Sequence, residues 1–136
     1  MSVLKLKAKT DNLTEVIEFI DGILEENDCP MKVQFQIDVA VEEIYVNIAH
    51  YAYPSGDGDA KIEADVSGDP KCIKIVFRDS GIPYDPLAKE DPDVTLSLEE
   101  REIGGLGIYM VKKSMDKVEY DYKDGQNVLT IYKTLI

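Results

Sequence analysis

The chain has 136 residues, 44% of them hydrophobic and 31% charged, which is ordinary for one globular domain with its own core. Its formal net charge of −12 argues against direct binding to nucleic acid, because phosphate contacts need clustered Lys and Arg. The chain has no apolar run near the roughly 20 residues of a membrane span and no signal-peptide core, so we expect a cytoplasmic protein with no membrane partner.

The first half of the chain predicts one strand and two helices. Apolar residues alternate with lysines over residues 4–9, which is the period of a half-buried strand. Residues 10–12 supply a helix cap, and apolar residues then recur at helical spacing up to a stop at residues 27–30. A second helix is predicted from about residue 31 to the turn cluster at residues 53–58.

The second half predicts four strands, a third helix and a long irregular segment. Two strands flank the turn at residues 67–70, and the last two strands meet at the turn at residues 124–125. The segment at residues 84–103 contains seven acidic residues, and so long a stretch with little regular structure in a compact domain is usually functional. A glycine cluster at residues 104–107 then opens the third helix.

The order of these elements, β-α-α-β-β-loop-α-β-β, predicts the fold class. Adjacent strands joined by short turns imply a mixed, mostly antiparallel sheet. Three helices on one face of that sheet would give an α+β fold in the form of a two-layer sandwich. We expect residues 1–136 to form a single domain.

Glu43 and Asn47 are the first candidate site residues. Their spacing of four places both side chains on one face of the second helix. Asn47 lies among apolar neighbours, where a half-buried amide needs partners. Its oxygen suits Mg²⁺, and Glu43, one turn earlier, could accept a proton from a hydroxyl near a metal-bound phosphate. The alternative is a solvated helix face with an internal cap at Asn47.

Asp79 and a set of glycines are the second and third candidates. Asp79 directly follows a strand, so its carboxylate could accept a hydrogen bond from an adenine amine while Gly81 lets the backbone approach the ring. The alternative is an ordinary strand-ending turn.

Gly104, Gly105 and Gly107 at a helix start offer N–H groups to phosphate, although their spacing is neither that of a Walker A loop nor that of a dinucleotide-binding loop. The alternative for these glycines is a hinge.

The three groups together resemble a known superfamily. The segments that carry the resemblance are EEIYVN at 42–47, DSGIPYDP at 79–86, GGLGIYMV at 104–111, MD at 115–116 and GQNVLTIYK at 125–133. Their order and spacing resemble the Bergerat-fold ATPases, which include the ATP-binding domains of histidine kinases and type II topoisomerases. Within that superfamily the short single domain resembles the bacterial anti-sigma-factor serine kinases.

The resemblance implies a site for ATP and Mg²⁺. Asn47 would bind the Mg²⁺ that bridges the phosphates, and Glu43 would be the base that activates a substrate serine. Asp79 would recognise adenine with Gly81 beside the ring, and residues 84–103 would form a lid over ATP. The other positions implied to bind the nucleotide are Arg101, Gly104, Gly105, Gly107 and Thr130.

The resemblance also implies a function in the regulation of transcription. The substrate would be a serine on a small anti-anti-sigma protein of the sulfate-transporter-domain type, the second partner would be a sigma factor, and the chain could form a homodimer. Two alternatives stay open. One is a non-catalytic ATP-binding module that controls docking between proteins, and the other is a small acidic interaction protein that binds no nucleotide.

Overall fold

A computed structural model describes residues 1–88 and 105–136 and has the element order predicted from the sequence. The strands are β1 (Ser2–Lys7), β2 (Asp59–Ser67), β3 (Cys72–Asp79), β4 (Lys117–Lys123) and β5 (Gln126–Thr134). The helices are α1 (Leu13–Glu26), α2 (Met31–Tyr51) and α3 (Gly105–Ser114). Within the described ranges, no helix is both long and apolar enough to cross a bilayer.

The strands form one sheet in the order β1-β2-β3-β5-β4, and every pairing among the described residues is antiparallel. Ile62 lies opposite Phe77, and Phe77 lies opposite Leu129, so these buried side chains share the face that the helices cover. Lys61 and Arg78, one residue away, pair on the other face. The predicted α+β two-layer sandwich is therefore confirmed.

Tyr45 fixes α2 against the start of the chain. Its ring is fully buried, and its hydroxyl donates to the carbonyl of Lys9 at 2.7 Å and accepts the Lys9 N–H at 3.1 Å. A buried tyrosine whose hydroxyl is hydrogen-bonded supplies both apolar area and orientation. The link from β1 to α1 is thereby tied to the middle of α2, so the C-terminal half of α2 has a defined place above the sheet.

Asp21 of α1 and Asp38 of α2 form an acidic pair between the two helices. The Oδ1 atoms of both are buried and have no hydrogen-bond partner among the described residues. Burial raises the pKa of Asp38 to about 8, and the carboxylates of Asp21 and Glu25 act in the same direction. Asp38 in turn contributes to raising the pKa of the Cys29 thiol, for which burial is the larger cause. At neutral pH we therefore expect Asp38 to hold a proton that it can donate to Asp21.

The acidic pair predicts how stability depends on pH. Between the ordinary aspartate pKa near 4 and about 8, the folded chain binds more protons at Asp38 than the unfolded chain does, so its contribution to the free energy of unfolding decreases as the pH rises. Asp38→Asn keeps the shape of the protonated acid and cannot ionise. We expect this variant to unfold at higher urea concentration than the wild type at pH 9 and at a similar concentration at pH 5.

Urea titrations at the two pH values measure this difference, and Asp121→Asn, at an exposed position on β4, is the matched control. Equal midpoints for Asp38→Asn and the wild type at pH 9 would show that ionised Asp38 does not destabilise the fold, and so that burial does not raise its pKa.

Candidate functional site

A cleft that is open to solvent lies between α2, α3 and the end of β3. Its walls are mainly apolar, with a few polar side chains, which is the usual composition of a small-molecule site. The residues that line it are Ile44, Asn47, Ile48, Tyr51, Ala52, Phe77, Asp79, Ile82, Tyr84, Pro86, Ile108, Tyr120, Asn127 and Leu129. Two sequence-predicted site residues, Asn47 and Asp79, therefore share one cleft.

Asp79 is the last residue of β3 and is only 5% exposed. Its Oδ1 accepts the Nδ2–H of Asn127 at 2.9 Å and the backbone N–H of Gly81 at 3.0 Å. Burial raises the pKa of Asp79, and the hydrogen bonds from Asn127 and Gly81 oppose that shift. Within the described residues Oδ2 has no hydrogen-bond partner, so this oxygen is available to a ligand in the cleft.

Asn127 lines the cleft beside Asp79 and was missed by sequence reasoning. Besides Asp79, its amide nitrogen donates to the carbonyl of Ile82 at 2.9 Å. Its Oδ1 accepts the Tyr84 N–H at 3.1 Å and the Tyr120 hydroxyl at 2.5 Å. These bonds use both donors and both acceptor positions of the amide. The sequence contained one signal for this residue. Asn127 lies two residues before Leu129 and four before Ile131, so in a strand all three side chains point to the same buried face, toward the helices.

Gly81 is required by packing between the β3 turn and α2. A Cβ atom built at Gly81 would overlap the backbone carbonyl of Ala52, the residue after α2. The next residue, Ile82, donates its N–H to that same carbonyl at 2.9 Å. The turn that follows Asp79 thus lies directly against the end of α2, and only glycine permits this approach. This is a different reason from the adenine contact expected from the sequence.

Glu43 and Asn47 lie on one face of α2, and the Nδ2–H of Asn47 donates to Oε1 of Glu43 at 3.3 Å. Gly107 in the first turns of α3 lies against the same carboxylate, because a Cβ atom built there would overlap it. Gly105 begins α3, as the glycine cluster predicted. The fold therefore brings the Glu43–Asn47 pair, the Asp79 turn and the start of α3 together.

Thr130 is not part of this cleft. It lies between Val76 and Glu119 in the sheet, one residue out of phase with the inward-facing Leu129. Its side chain is therefore on the face away from the helices, and a direct role in the cleft is not supported. Arg101 and Gly104 lie outside the described residues, as does most of the expected lid at 84–103.

Comparison with known families and proteins gives a consistent picture. A family model described as a histidine kinase-like ATPase domain matches residues 6–133. The chain is 23% identical to the serine/threonine-protein kinase BtrW of Bordetella bronchiseptica over 94% of this chain and 89% of that protein. It is 27% identical to the serine-protein kinase RsbW of Bacillus cereus over 67% of this chain and 58% of that protein.

Two solved structures have a similar fold. A structure of the RsbU and RsbW domains of a Mycobacterium tuberculosis protein aligns with a TM-score of 0.66 at 14% identity, over 99% of this chain and 33% of that one. This chain therefore spans about a third of that structure. The nucleotide-free catalytic domain of the histidine kinase ThkA aligns with a TM-score of 0.51 at 12% identity, over 99% and 98% of the two chains. At these identities the likeness is one of fold.

The packing at Gly81 predicts opposite effects of the same substitution at two glycines. Gly81→Ala should lower the free energy of unfolding, because the new methyl group meets the fixed Ala52 backbone. Gly22→Ala in α1 should raise it by about 0.5–1 kcal/mol, because a Cβ atom there meets nothing within 4 Å and alanine favours a helix. Urea unfolding of both variants tests the pair, and a stable Gly81→Ala protein would refute the packing argument.

The amide network predicts that Asn127→Ala is destabilising by about 1–3 kcal/mol, because it removes one of the two hydrogen bonds to the buried Oδ1 of Asp79 and deprives the Ile82 carbonyl and the Tyr84 N–H of their partner. Gln126→Ala is the matched control, since Gln126 makes one exposed 3.4 Å hydrogen bond to Ser80. Equal unfolding midpoints for the two variants would contradict the assigned role of Asn127.

Proposed function

The chain belongs to the family of histidine kinase-like ATPase domains, whose model matches nearly its whole length, and from this we propose that it is an ATP-dependent serine-protein kinase. One observation carries the proposal. The Glu43 carboxylate lies between Asn47 and the start of α3, beside the cleft that Asn47 and Asp79 line. A proton acceptor, an amide oxygen and helix N–H groups are thus adjacent.

We assign adenine recognition to Asp79. Its buried carboxylate has one oxygen held by Asn127 and Gly81, which leaves the other to accept a hydrogen bond from the exocyclic amine of adenine. Apolar walls from Ile44 and Phe77 suit a flat aromatic ring. A carboxylate acceptor favours adenine over guanine, whose corresponding position carries a carbonyl oxygen.

We assign the phosphates to the start of α3. The first N–H groups of a helix have no partner within the helix and attract anions. Gly105 and Gly107 leave that backbone unshielded, and Gly104 and Arg101 are proposed to add a further N–H group and a cation. These local donors matter because the net charge of −12 would otherwise disfavour a polyanion.

The side chains present fit a Mg²⁺ ion held mainly by ATP. Asn47 uses its Nδ2–H toward Glu43, and within the part of the chain that the structure describes its oxygen accepts no hydrogen bond and can face a cation. Among the described residues no group of three or more His, Cys, Asp and Glu side chains could hold a metal, which suits an ion that keeps its waters and phosphate ligands. When bound, Mg²⁺ would neutralise phosphate charge.

The proposed reaction is in-line transfer of the γ-phosphoryl group to a serine hydroxyl. The serine oxygen attacks phosphorus, the bond to the β-phosphate oxygen breaks, and ADP leaves. Glu43 accepts the hydroxyl proton. The hydrogen bond from Asn47 and the contact with Gly107 hold its carboxylate at the place where cleft and surface meet.

We propose a small anti-anti-sigma protein of the sulfate-transporter-domain type as the serine substrate, a sigma factor as the second partner, and a homodimer as the functional form. The sequence resemblance supports these partners. The relatives named above as protein kinases support phosphoryl transfer to a protein.

Two substitutions separate binding from chemistry. Glu43→Gln should retain ATP binding and lower kcat for phosphoryl transfer by about 100-fold or more, because it removes the proton acceptor. Asp79→Asn should weaken ATP binding about 10-fold or more, because it removes a charged acceptor. Calorimetry with ATP and a radiolabel transfer assay measure the two effects, with Glu26→Gln, at the exposed end of α1, as the control for kcat.

Each outcome has a distinct meaning. Transfer at the wild-type rate by Glu43→Gln would remove the base assignment. Tight ATP binding by the wild type without transfer to any candidate partner would favour the non-catalytic module. No ATP binding by the wild type would overturn the proposed function as a whole.

A further inference from the structure

The outer face of α2 carries an exposed apolar stripe that the core does not use. Met31, Phe35 and Val39 follow one another at intervals of four residues and are 87%, 70% and 42% exposed. Val46 continues the same face toward the C-terminal end of α2. Exposed large apolar residues are individually ordinary, but a row of them along one helix marks an interaction surface.

Two shallow depressions extend this stripe to either side. The first lies against α1 and includes Leu13, Ile17 and Phe35. The second lies against α3 and includes Val46 and Met110, which is 51% exposed. Val39 and Glu42 line both depressions, so the two form one continuous surface, which we call the α2 groove.

The α2 groove ends at the proposed proton acceptor. Glu43 and Gly107 line the second depression together with Val46 and Met110. A protein lying in the α2 groove would therefore place part of its surface beside the Glu43 carboxylate. The cleft that contains Asp79 is also lined by Asn47, which is hydrogen-bonded to Glu43.

The charges of the α2 groove restrict its occupant. The carboxylates of Glu18, Glu42 and Glu43 line it, and among the described residues no Lys or Arg does. A second copy of the chain would bring the same acidic side chains face to face, which like-charge repulsion disfavours. A complementary partner has apolar side chains surrounded by Lys or Arg.

We propose that the α2 groove docks the serine protein that this chain phosphorylates, and that the docking surface of that protein is apolar with a basic rim. The identity of the occupant rests on the proposed kinase function, whereas the chemistry of the surface does not. Docking in the α2 groove brings the target serine to Glu43 and orients it toward the nucleotide cleft, so affinity for the substrate and the geometry of transfer come from one surface.

Binding of two synthetic amphipathic helical peptides tests the chemistry of the surface. Both peptides have the same leucine face, and the rim is lysine in one and glutamate in the other. By fluorescence anisotropy the lysine peptide should bind the wild type more tightly. Phe35→Ala combined with Val39→Ala should weaken that binding about tenfold or more. Val3→Ala, at a 47% exposed valine of β1, should not change it.

Kinetics with the protein substrate test the occupant. The double variant should raise the KM for the protein substrate about tenfold or more and leave calorimetric ATP affinity unchanged. An unchanged KM, or equal binding of both peptides, would overturn the docking proposal while ATP binding and transfer still supported the kinase. A concentration-dependent dimer lost in the double variant would instead identify a second copy as the occupant.

Failure of the two proposals can be distinguished. Absence of ATP binding in the wild type removes the proposed function, and the peptide experiment then reports on the α2 groove alone. Circular dichroism and urea unfolding of each variant show that a change in binding does not reflect loss of the fold.

Discussion

The hydrogen bonds of the Asn127 amide are the constraint on which the candidate site depends. They join β5 to the end of β3, to the turn after it and to Tyr120 of β4. Burying the Asp79 carboxylate is unfavourable unless it is hydrogen-bonded, and the Asn127 amide meets this requirement for one oxygen while the other stays available. The Asn127 amide itself is fully paired, as a buried polar group must be if it is to stabilise the fold.

Two close approaches at glycines place the remaining parts around this network. Gly81 lets the β3 turn pack against the end of α2, and Gly107 lets α3 lie on the Glu43 carboxylate. The first contact brings Asp79 near the helix that carries Asn47. The second contact brings the start of α3, whose first N–H groups have no partner within the helix, to the same helix. α2 therefore organises the site, and Tyr45 fixes α2 itself to the beginning of the chain.

α2 presents different chemistry on three sides. Its inner side contributes Ile37, Val41 and Ile44 to the core. Its C-terminal half presents Glu43 and Asn47 to the cleft and to α3. Its outer side carries the apolar stripe of the α2 groove. One helix thus connects the packing of the core, the residues proposed for catalysis and the surface proposed for docking. A protein docked in the α2 groove would therefore lie within one helical turn of Glu43.

Periodicity in the sequence determined the secondary-structure elements, the fold class and the face of α2 that carries Glu43 and Asn47, because these depend on neighbours a few residues apart. The turn after β3 and the run of glycines before α3 further indicated Asp79 and the glycine cluster as candidate site positions. Only the tertiary structure decided which of these residues meet. It places Asn127, and not Thr130, in the wall of the cleft, since the direction of a side chain in β5 depends on the register of the sheet. It also explained Gly81 by its contact with Ala52, 29 positions earlier by residue number. Such contacts between distant segments leave no periodic trace in a single sequence, because they arise only when the sheet and the helices pack together.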